Sequence, residues 1–286
     1  MASDPAIIVT RPSGQARRLI ELIREGSQAK SLIANVIGLP LLTIVPKSDL
    51  QIVTQMSAAL AKAKLVVFVS PNAIECAMRA LADAGMVWSN LLTSHTRIGV
   101  VGSSSRDALL RHGVDPKTIV MPTQIHQSDS EGLWQSLQTH IDDWHTHSVL
   151  ILKGEGGRES LMDHLQAAGA SVEALSIYTR IPLDASSRQW EVLKGLDASQ
   201  TLWLLTSSEA VRHLAAVRPI QQTVSADSLA HSHAVCSHHN IAKAAKEIGF
   251  GHVSVSDPGD ESITQAALVW LEEQVRKSPS PRVDDR

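Results

Sequence analysis

The sequence predicts an α/β protein made of two similar doubly wound parallel-sheet lobes joined by a two-stranded hinge. Three observations carry that reading. Short apolar runs recur along the chain, each followed by small polar residues and then a helical pattern. The units of one half can be laid over those of the other. Two extended, proline-marked stretches lie where the chain would pass between lobes.

The apolar runs fall at 7–9, 65–69, 98–101, 149–152, 202–205 and 234–236. Runs this short suit strands buried on both faces, and the helical patterns between them suit the long crossovers that parallel neighbours require. The segment VFVSPNAIECAMRAL at 67–81 lies over LLTSSEAVRHLAAV at 204–217, with Ser70 on Ser207 and Ala73 on Ala210. VVGSSSRDALLRHG at 100–113 lies over CSHHNIAKAAKEIG at 236–249, and 151–169 resembles 7–26. Such self-similarity indicates two lobes of one design. The unit at 7 precedes the first half, whereas its counterpart at 151 follows the other two units of that half. The chain is therefore expected to enter one lobe, cross and return. GLPLLTIVP at 38–46 and LSIYTRIP at 175–182 fit as the crossings. One lobe is expected at 1–38 plus 182–286, the other at 43–176, with hinge strands at 39–46 and 175–182. The last ten residues, KSPSPRVDDR, read as a solvated tail.

With 286 residues, 43% of them hydrophobic, the chain can bury the cores of two domains. Only 3% are aromatic, so the cores must be aliphatic, and stacking platforms for single-stranded nucleic acid are not expected. A formal charge of −3, from 26 basic and 29 acidic residues, leaves no broad basic face for nucleic-acid phosphates. The expected partner is a small molecule. The apolar run before Arg11 is too short for a signal-peptide core, and no stretch is long enough to span a bilayer. A cytoplasmic protein is expected, with no membrane partner. Cys76 and Cys236 are too few for a disulfide framework and read as small buried hydrophobes.

In a doubly wound sheet, ligands lie beyond the carboxyl ends of the strands, where helix N-termini present unpaired N–H groups. Three such turns are expected in each lobe. Edges turned toward each other would line a cleft with backbone donors and small hydroxyls, which suits a ligand with many carboxylates. Ser70 reads as an N-cap with Pro71 at the first helical position, and TSSE at 206–209 matches a capping box. Capping alone also accounts for these residues, whereas their repetition at equivalent places favours a function. GSSSRD at 102–107 is a third hydroxyl-rich helix entry.

KGEGGRE at 153–159 follows a strand and opens a helix, with glycines that admit a ligand to the backbone and charge from Lys153 and Arg158. Anion binding and a simple tight turn both fit. A nucleotide motif does not: the third glycine of G-x-G-x-x-G would fall at Glu159, no Walker lysine follows, and Glu155 would repel phosphate. Arg11, just past the first strand, can pair with a ligand carboxylate or form an ordinary salt bridge. HSHAVCSHH at 231–239 packs five possible zinc ligands into nine residues. Strand alternation sends its neighbours to opposite faces and no second ligand pair stands out, so no metal is expected. Ser237 and His238 instead form the turn equivalent to Val101 and Gly102. Tyr178, the one tyrosine, lies in the returning crossing. With an ordinary pKa of about 10 it can serve as a proton donor in the cleft, or it can simply pack its ring in the hinge.

VTRP at 9, VFVSPNA at 67, IGVVGSSS at 98, KGEGGRE at 153, IYTR at 177, TSSEAV at 206 and IAKAAKEIGF at 241 occur in an order and spacing that resembles the uroporphyrinogen-III synthase family across about 7–272. That family has a divided first domain and a two-stranded hinge. The resemblance implies a cyclising hydro-lyase that closes hydroxymethylbilane, a linear tetrapyrrole with eight carboxylates, to uroporphyrinogen III with its last ring inverted. It implies a monomer with no cofactor and no metal. Loss of the substrate hydroxyl as water would give an azafulvene, and closure would pass through a spiro intermediate. By the same resemblance Tyr178 assists departure of the hydroxyl, while Ser70, Asn72, Ser103, Ser105, Lys153, Gly154, Arg158, Ser207 and Ser208 bind substrate. Two positions depart from the family pattern. Ser105 stands where threonine is usual, and Ser237-His238-His239-Asn240 stands where Gly-Pro-Thr or His-Pro-Arg is frequent, with Ser237 the candidate contact there. A rival reading from another class is a two-lobed polyanion binder or sensor without chemistry; a third is an enzyme of nucleotide or sugar phosphates, which would need a stronger phosphate loop.

Overall fold

Aliphatic runs that lack polar alternation must bury both of their faces, and in this chain each of them forms a strand of a parallel sheet. The computed structural model describes residues 4–122, 130–156 and 160–277. In chain order the strands are β1 (Ala6–Val9), β2 (Asn35–Gly38), β3 (Leu42–Pro46), β4 (Leu65–Phe68), β5 (Arg97–Val100), β6 (Ile119–Val120), β7 (Ser148–Gly154), β8 (Ser171–Pro182), β9 (Thr201–Leu205), β10 (His233–Cys236) and β11 (His252–Val255). The helices are α1 (Ser13–Ala29), α2 (Leu50–Leu60), α3 (Pro71–Asp83), α4 (Trp88–Leu91), α5 (Ser103–Arg111), α6 (Ser130–Gln138), α7 (Ser160–Ala167), α8 (Ser208–Val217), α9 (Ala226–His231), α10 (His239–Glu247) and α11 (Asp260–Lys277). The chain divides into two units, Met1–Thr43 with Pro182–Arg286, and Ile44–Ile181.

The first unit holds a five-stranded sheet in the order β11-β10-β9-β1-β2. The second holds the order β3-β8-β7-β4-β5-β6, with β3 at one edge. Read from the other end, β2-β1-β9-β10-β11 matches β8-β7-β4-β5-β6 strand for strand, so the internal repeat is a repeat of topology. Register makes the comparison finer. Leu204 stands opposite Val9 and Val235, and Val67 stands opposite Ile151 and Gly99. Two of the three sequence overlays keep this register. The third does not: Ile151 occupies the place of Val9, two residues from the overlay on Ile7. An even slip leaves every side chain on its own face, so aliphatic pattern alone could not separate the two alignments.

Both faces of both sheets are covered. Ile8, Trp203, Leu205, Ala234 and Cys236 face one cluster of the first unit, and Ile7, Val9, Leu202, Leu204 and Val235 face the other. Val66, Phe68, Ile98 and Leu150 alternate in the same way with Leu65, Val67, Val149 and Ile151 in the second unit. Helices complete these layers through helically spaced stripes. Ala16, Leu19 and Ile23 of α1 are buried with Ile263, Ala267 and Leu271 of α11, and each such Leu or Ile contributes about 1.5–3 kcal/mol. Gly26 lets α1 close on α11, because a Cβ there would sit 2.6 Å from Leu268 Cδ1.

The strands that sequence pattern does not single out are β2, β6 and β11, all at or next to sheet edges. In β11 only Val253 is partly buried, so no aliphatic run marks it. Cys76 and Cys236 are free and buried, and burial pushes their thiols up to about 11 and about 12. Among the described residues no helix is long and apolar enough to cross a membrane. The expected tail, apart from Lys277, lies outside the described residues.

Two consequences for stability follow. A Cβ at Gly251 would run into the carbonyl oxygen of Ala230, which is backbone and cannot rotate away, whereas one at Gly14 meets nothing within 4 Å. Gly251→Ala is expected to cost about 3 kcal/mol and Gly14→Ala to be neutral or slightly stabilising in denaturant titrations. His233, whose ring stacks on His252 at 4.4 Å, is held below its ordinary value of 6.5 chiefly by burial, then by the charges of His252 and Lys277, with Glu273 opposing. The unfolded chain therefore takes up this proton at a higher pH than the folded one. Stability is expected to fall as pH drops below 6.5 and to level off beneath the folded value. His233→Phe should flatten that part of the unfolding profile.

Candidate functional site

The helix entries that follow central strands gather the candidate residues at the carboxyl edge of each sheet. In the second unit β4 runs into Ser70, the N-cap of α3, whose Oγ accepts a hydrogen bond from the Ala73 N–H at 3.2 Å. Pro71 opens the helix, and Asn72 beside it is half-buried. On the neighbouring strand, β5 leads to Gly102 as N-cap, with Ser103 first in α5 and half-buried. Ser105 is buried, and its N–H donates to the Gly102 carbonyl at 3.1 Å. On the other side, β7 ends at Lys153 and Gly154, followed by Gly156 with φ +70°. Ser70, Asn72, Ser103, Ser105, Lys153 and Gly154 thus share the edge of three adjacent strands, β7-β4-β5. Arg158 lies outside the described residues.

Tyr178 joins them through an irregularity. Lys153 pairs with Ser176 but Gly154 pairs with Tyr178, so Ile177 is an extra residue in β8. This bulge lets Ile177 and Tyr178 enter the same apolar cluster, which strict alternation would forbid. The ring is only 2% exposed, and its hydroxyl lies 3.0 Å from Ser70 Oγ. Two residues on, Arg180 projects to the same side, as the strand period requires. Its guanidinium stands 5.7 Å from the Tyr178 ring centre, donates from Nη1 to the Tyr178 hydroxyl at 3.4 Å, and donates from Nη2 to the Glu155 carbonyl at 2.9 Å. A Cβ on Gly154 would sit 2.5 Å from both Tyr178 Cζ and Arg180 Nη1, so this approach needs glycine. Lys47 Nζ pairs with the Glu155 carboxylate at 3.2 Å.

In the first unit, β1 leads to Arg11, β9 to Ser207 and Ser208, and β10 to Ser237. Arg11 donates from Nε to Thr206 Oγ1 at 3.3 Å and from Nη1 to Asp260. With side chains 10% and 19% exposed, the Arg11–Asp260 pair is nearly buried. The N-cap of α8 is Ser207, whose Oγ accepts from the Ala210 N–H at 3.3 Å, and not Thr206 as the capping-box pattern implied. Thr206 is instead the acceptor for Arg11, and the shift makes Ser207 the counterpart of Ser70. Ser208 is half-buried at the first helical position. Ser237 is half-buried, and its N–H donates to the Leu205 carbonyl at 3.2 Å. His238 caps α10, with Nδ1 accepting from the Asn240 N–H at 3.1 Å. His233 and the His238–His239 pair stand at opposite ends of β10. Sequence pattern missed Arg180, Asp260 and Lys47, and gave Thr206 a capping role in place of its contact with Arg11. The period-two spacing from Tyr178 was a signal for Arg180; nothing local pointed to Asp260, which is 249 residues from Arg11.

Comparison with known proteins identifies the design. The family model described as uroporphyrinogen-III synthase HemD matches residues 16–265. The uroporphyrinogen-III synthase of Escherichia coli K12 is 27% identical over 263 residues, covering 92% of this chain and 99% of that protein. Its counterpart in Salmonella typhimurium is 26% identical over the same length and coverage. A mutant uroporphyrinogen III synthase from the extremely thermophilic bacterium Thermus thermophilus shares the fold, with a TM-score of 0.58 at 16% identity over 96% of this chain and all of that one. The Helicobacter pylori uroporphyrinogen-III synthetase does so with a TM-score of 0.57 at 14% identity, covering 93% and 99%. A family match over 16–265 takes in most of the chain and every described turn named above except that of Arg11, and the chain belongs to the uroporphyrinogen-III synthase family.

Proposed function

We propose that this chain closes hydroxymethylbilane to uroporphyrinogen III, inverting the last ring and releasing water, and that it does so as a cytoplasmic monomer without cofactor or metal. The observation that carries the chemistry is the Tyr178–Ser70 hydroxyl pair at a carboxyl sheet edge, in a chain of this family. Substrate binding is assigned to backbone N–H groups at helix starts and to the side chains of Asn72, Ser103, Ser105, Lys153, Ser207, Ser208 and Ser237, with Gly154 admitting close backbone approach. These donors suit a substrate whose periphery is carboxylate. Their task is to hold a linear tetrapyrrole curled, with its two ends in reach, and so exclude closure without inversion.

In the first step the carbon–oxygen bond of the hydroxymethyl group breaks with its electron pair on oxygen. A proton from the Tyr178–Ser70 pair completes the water, and the proton lost from the adjacent pyrrole nitrogen restores the pair as the azafulvene forms. No nucleophile is required of the protein. Attack at the substituted position of the last ring then gives the spiro intermediate, which fragments and recloses. Arg158, by family likeness, is assigned to substrate binding with Lys153. Arg11 already has a carboxylate partner, so it can take a substrate carboxylate only by exchanging Asp260 for it.

Freshly generated hydroxymethylbilane, supplied to the purified protein and followed by separation of the oxidised isomers, tests the reading: isomer III supports it, and isomer I alone would leave a binder without chemistry. Tyr178→Phe is expected to lower the rate of isomer III formation by about 100-fold with an unchanged unfolding midpoint; wild-type turnover would remove Tyr178 from the mechanism. Asp260→Asn is expected to lower KM several-fold if Arg11 takes a substrate carboxylate, at a stability cost of about 1–3 kcal/mol. An unaltered KM would make Arg11 purely structural.

A further inference from the structure

We infer that Arg180 is a positioning residue that fixes the direction of the Tyr178–Ser70 hydrogen bond, so that the phenol donates to Ser70 and the serine hydrogen is left for the substrate. The inference rests on the proposed cyclisation. A guanidinium has donors only. With Nη1 directed at the Tyr178 hydroxyl at 3.4 Å, it occupies a lone pair of that oxygen and turns the phenolic hydrogen away. The atom waiting there is Ser70 Oγ, at 3.0 Å. Ser70 already accepts from the Ala73 N–H at 3.2 Å, so its second lone pair takes the phenolic hydrogen and its own hydrogen is spare. Tyr178 is 2% exposed, whereas Ser70 is half-buried, so the outward end of this chain of bonds is the serine.

The fold is built to hold that arrangement. The guanidinium is anchored by the Glu155 carbonyl at 2.9 Å, and the Glu155 N–H donates to the Tyr178 carbonyl at 2.8 Å. Arginine and tyrosine are therefore referenced to the same residue. The bulge at Gly154 places Tyr178 in the core, the strand period places Arg180 beside it, and the absent Cβ of Gly154 gives both room. Functionally, Ser70 hands its proton to the departing hydroxyl and takes the phenolic proton in return. The positive guanidinium stabilises the negative oxygen left on Tyr178 until the pyrrole N–H proton returns along the same path.

The test compares Arg180→Gln, Arg180→Lys, Tyr178→Phe and the Arg180→Gln/Tyr178→Phe double variant, with kcat, KM and the III-to-I isomer ratio measured for each. Arg180→Gln should lose roughly tenfold or more in kcat with little change in KM. Arg180→Lys, which keeps a charged donor, should recover part of that loss and serves as the reporter if the glutamine variant does not fold. The double variant should be no slower than Tyr178→Phe alone, because the arginine acts through the phenol. A rise in KM with kcat unchanged would make Arg180 a binder of substrate carboxylate and overturn the inference, as would full additivity in the double variant. Wild-type kcat in Tyr178→Phe alongside a slow Arg180→Gln would sink the tyrosine assignment and this inference together. A slow Tyr178→Phe with a normal Arg180→Gln would sink only the inference.

Discussion

Burial of both faces of each parallel sheet is the constraint from which the rest follows. A sheet covered on both sides has no exposed face on which to build a site, so polar function is driven to the strand ends. At the carboxyl ends the chain must turn into helices whose first N–H groups lack partners within the helix. Ser70 and Ser207 each satisfy one such group from the cap position, at corresponding places in the two units. The same demand for caps that stabilises each helix therefore lines both sheet edges with hydroxyls and backbone donors. On the proposed function, stability and ligand chemistry draw on the same residues, which is why capping and binding could not be told apart from sequence.

One site breaks this regular plan. In the first unit the strand beside β1 is the short β2, paired without a register shift. Its counterpart β8 runs on for twelve residues and slips by one against β7 at Gly154. The slip costs ladder regularity and puts two consecutive large residues, Ile177 and Tyr178, on one side of a strand. A bulge of this kind re-aims side chains, and here it converts an apolar crossing strand into the carrier of a hydroxyl and a guanidinium. Gly154 is thus set less by turn conformation than by the space that the re-aimed ring occupies.

Fold class was legible because aliphatic strands, capped helix starts and the internal repeat all act over fewer than about twenty residues. The overlay of 67–81 on 204–217 even kept its register, since the Ser-cap pins strand end to helix start. The overlay of 151–169 on 7–26 slipped by two, an even slip that the aliphatic pattern tolerates, and α1 starts after Pro12 with no side-chain cap to mark the strand end. Edge strands such as β11 stayed hidden because one exposed side removes the aliphatic signal. At the site, helix-entry serines and Tyr178 were visible as residue types, but their bonding was not. The Arg11–Asp260 pair joins opposite ends of the chain, and the Tyr178–Ser70 bond spans 108 residues. The capping-box misreading at 206–209 has the same origin, since the acceptor role of Thr206 toward Arg11 is set by tertiary structure.

The charge arrangement bears on how such a site can accelerate anything. On the proposed function, a substrate with eight carboxylates and a product that keeps all eight present nearly the same periphery, so groups that bind only the periphery lower the energy of both alike and leave the barrier unchanged. Strong cation–carboxylate contacts would also slow release. Two cations at the strand ends are matched within their own unit, Arg11 by Asp260 and Lys47 by Glu155, so on the proposed function the holding falls to Lys153 and Arg158 together with neutral hydroxyls and backbone N–H groups. Rate enhancement must then come from the reacting ends, where the hydroxyl leaves and the last ring is attacked. The Arg180–Tyr178–Ser70 chain is suited to that place: it carries a proton, is oriented before substrate arrives, and sits against a buried ring where water competes poorly for its hydrogen bonds.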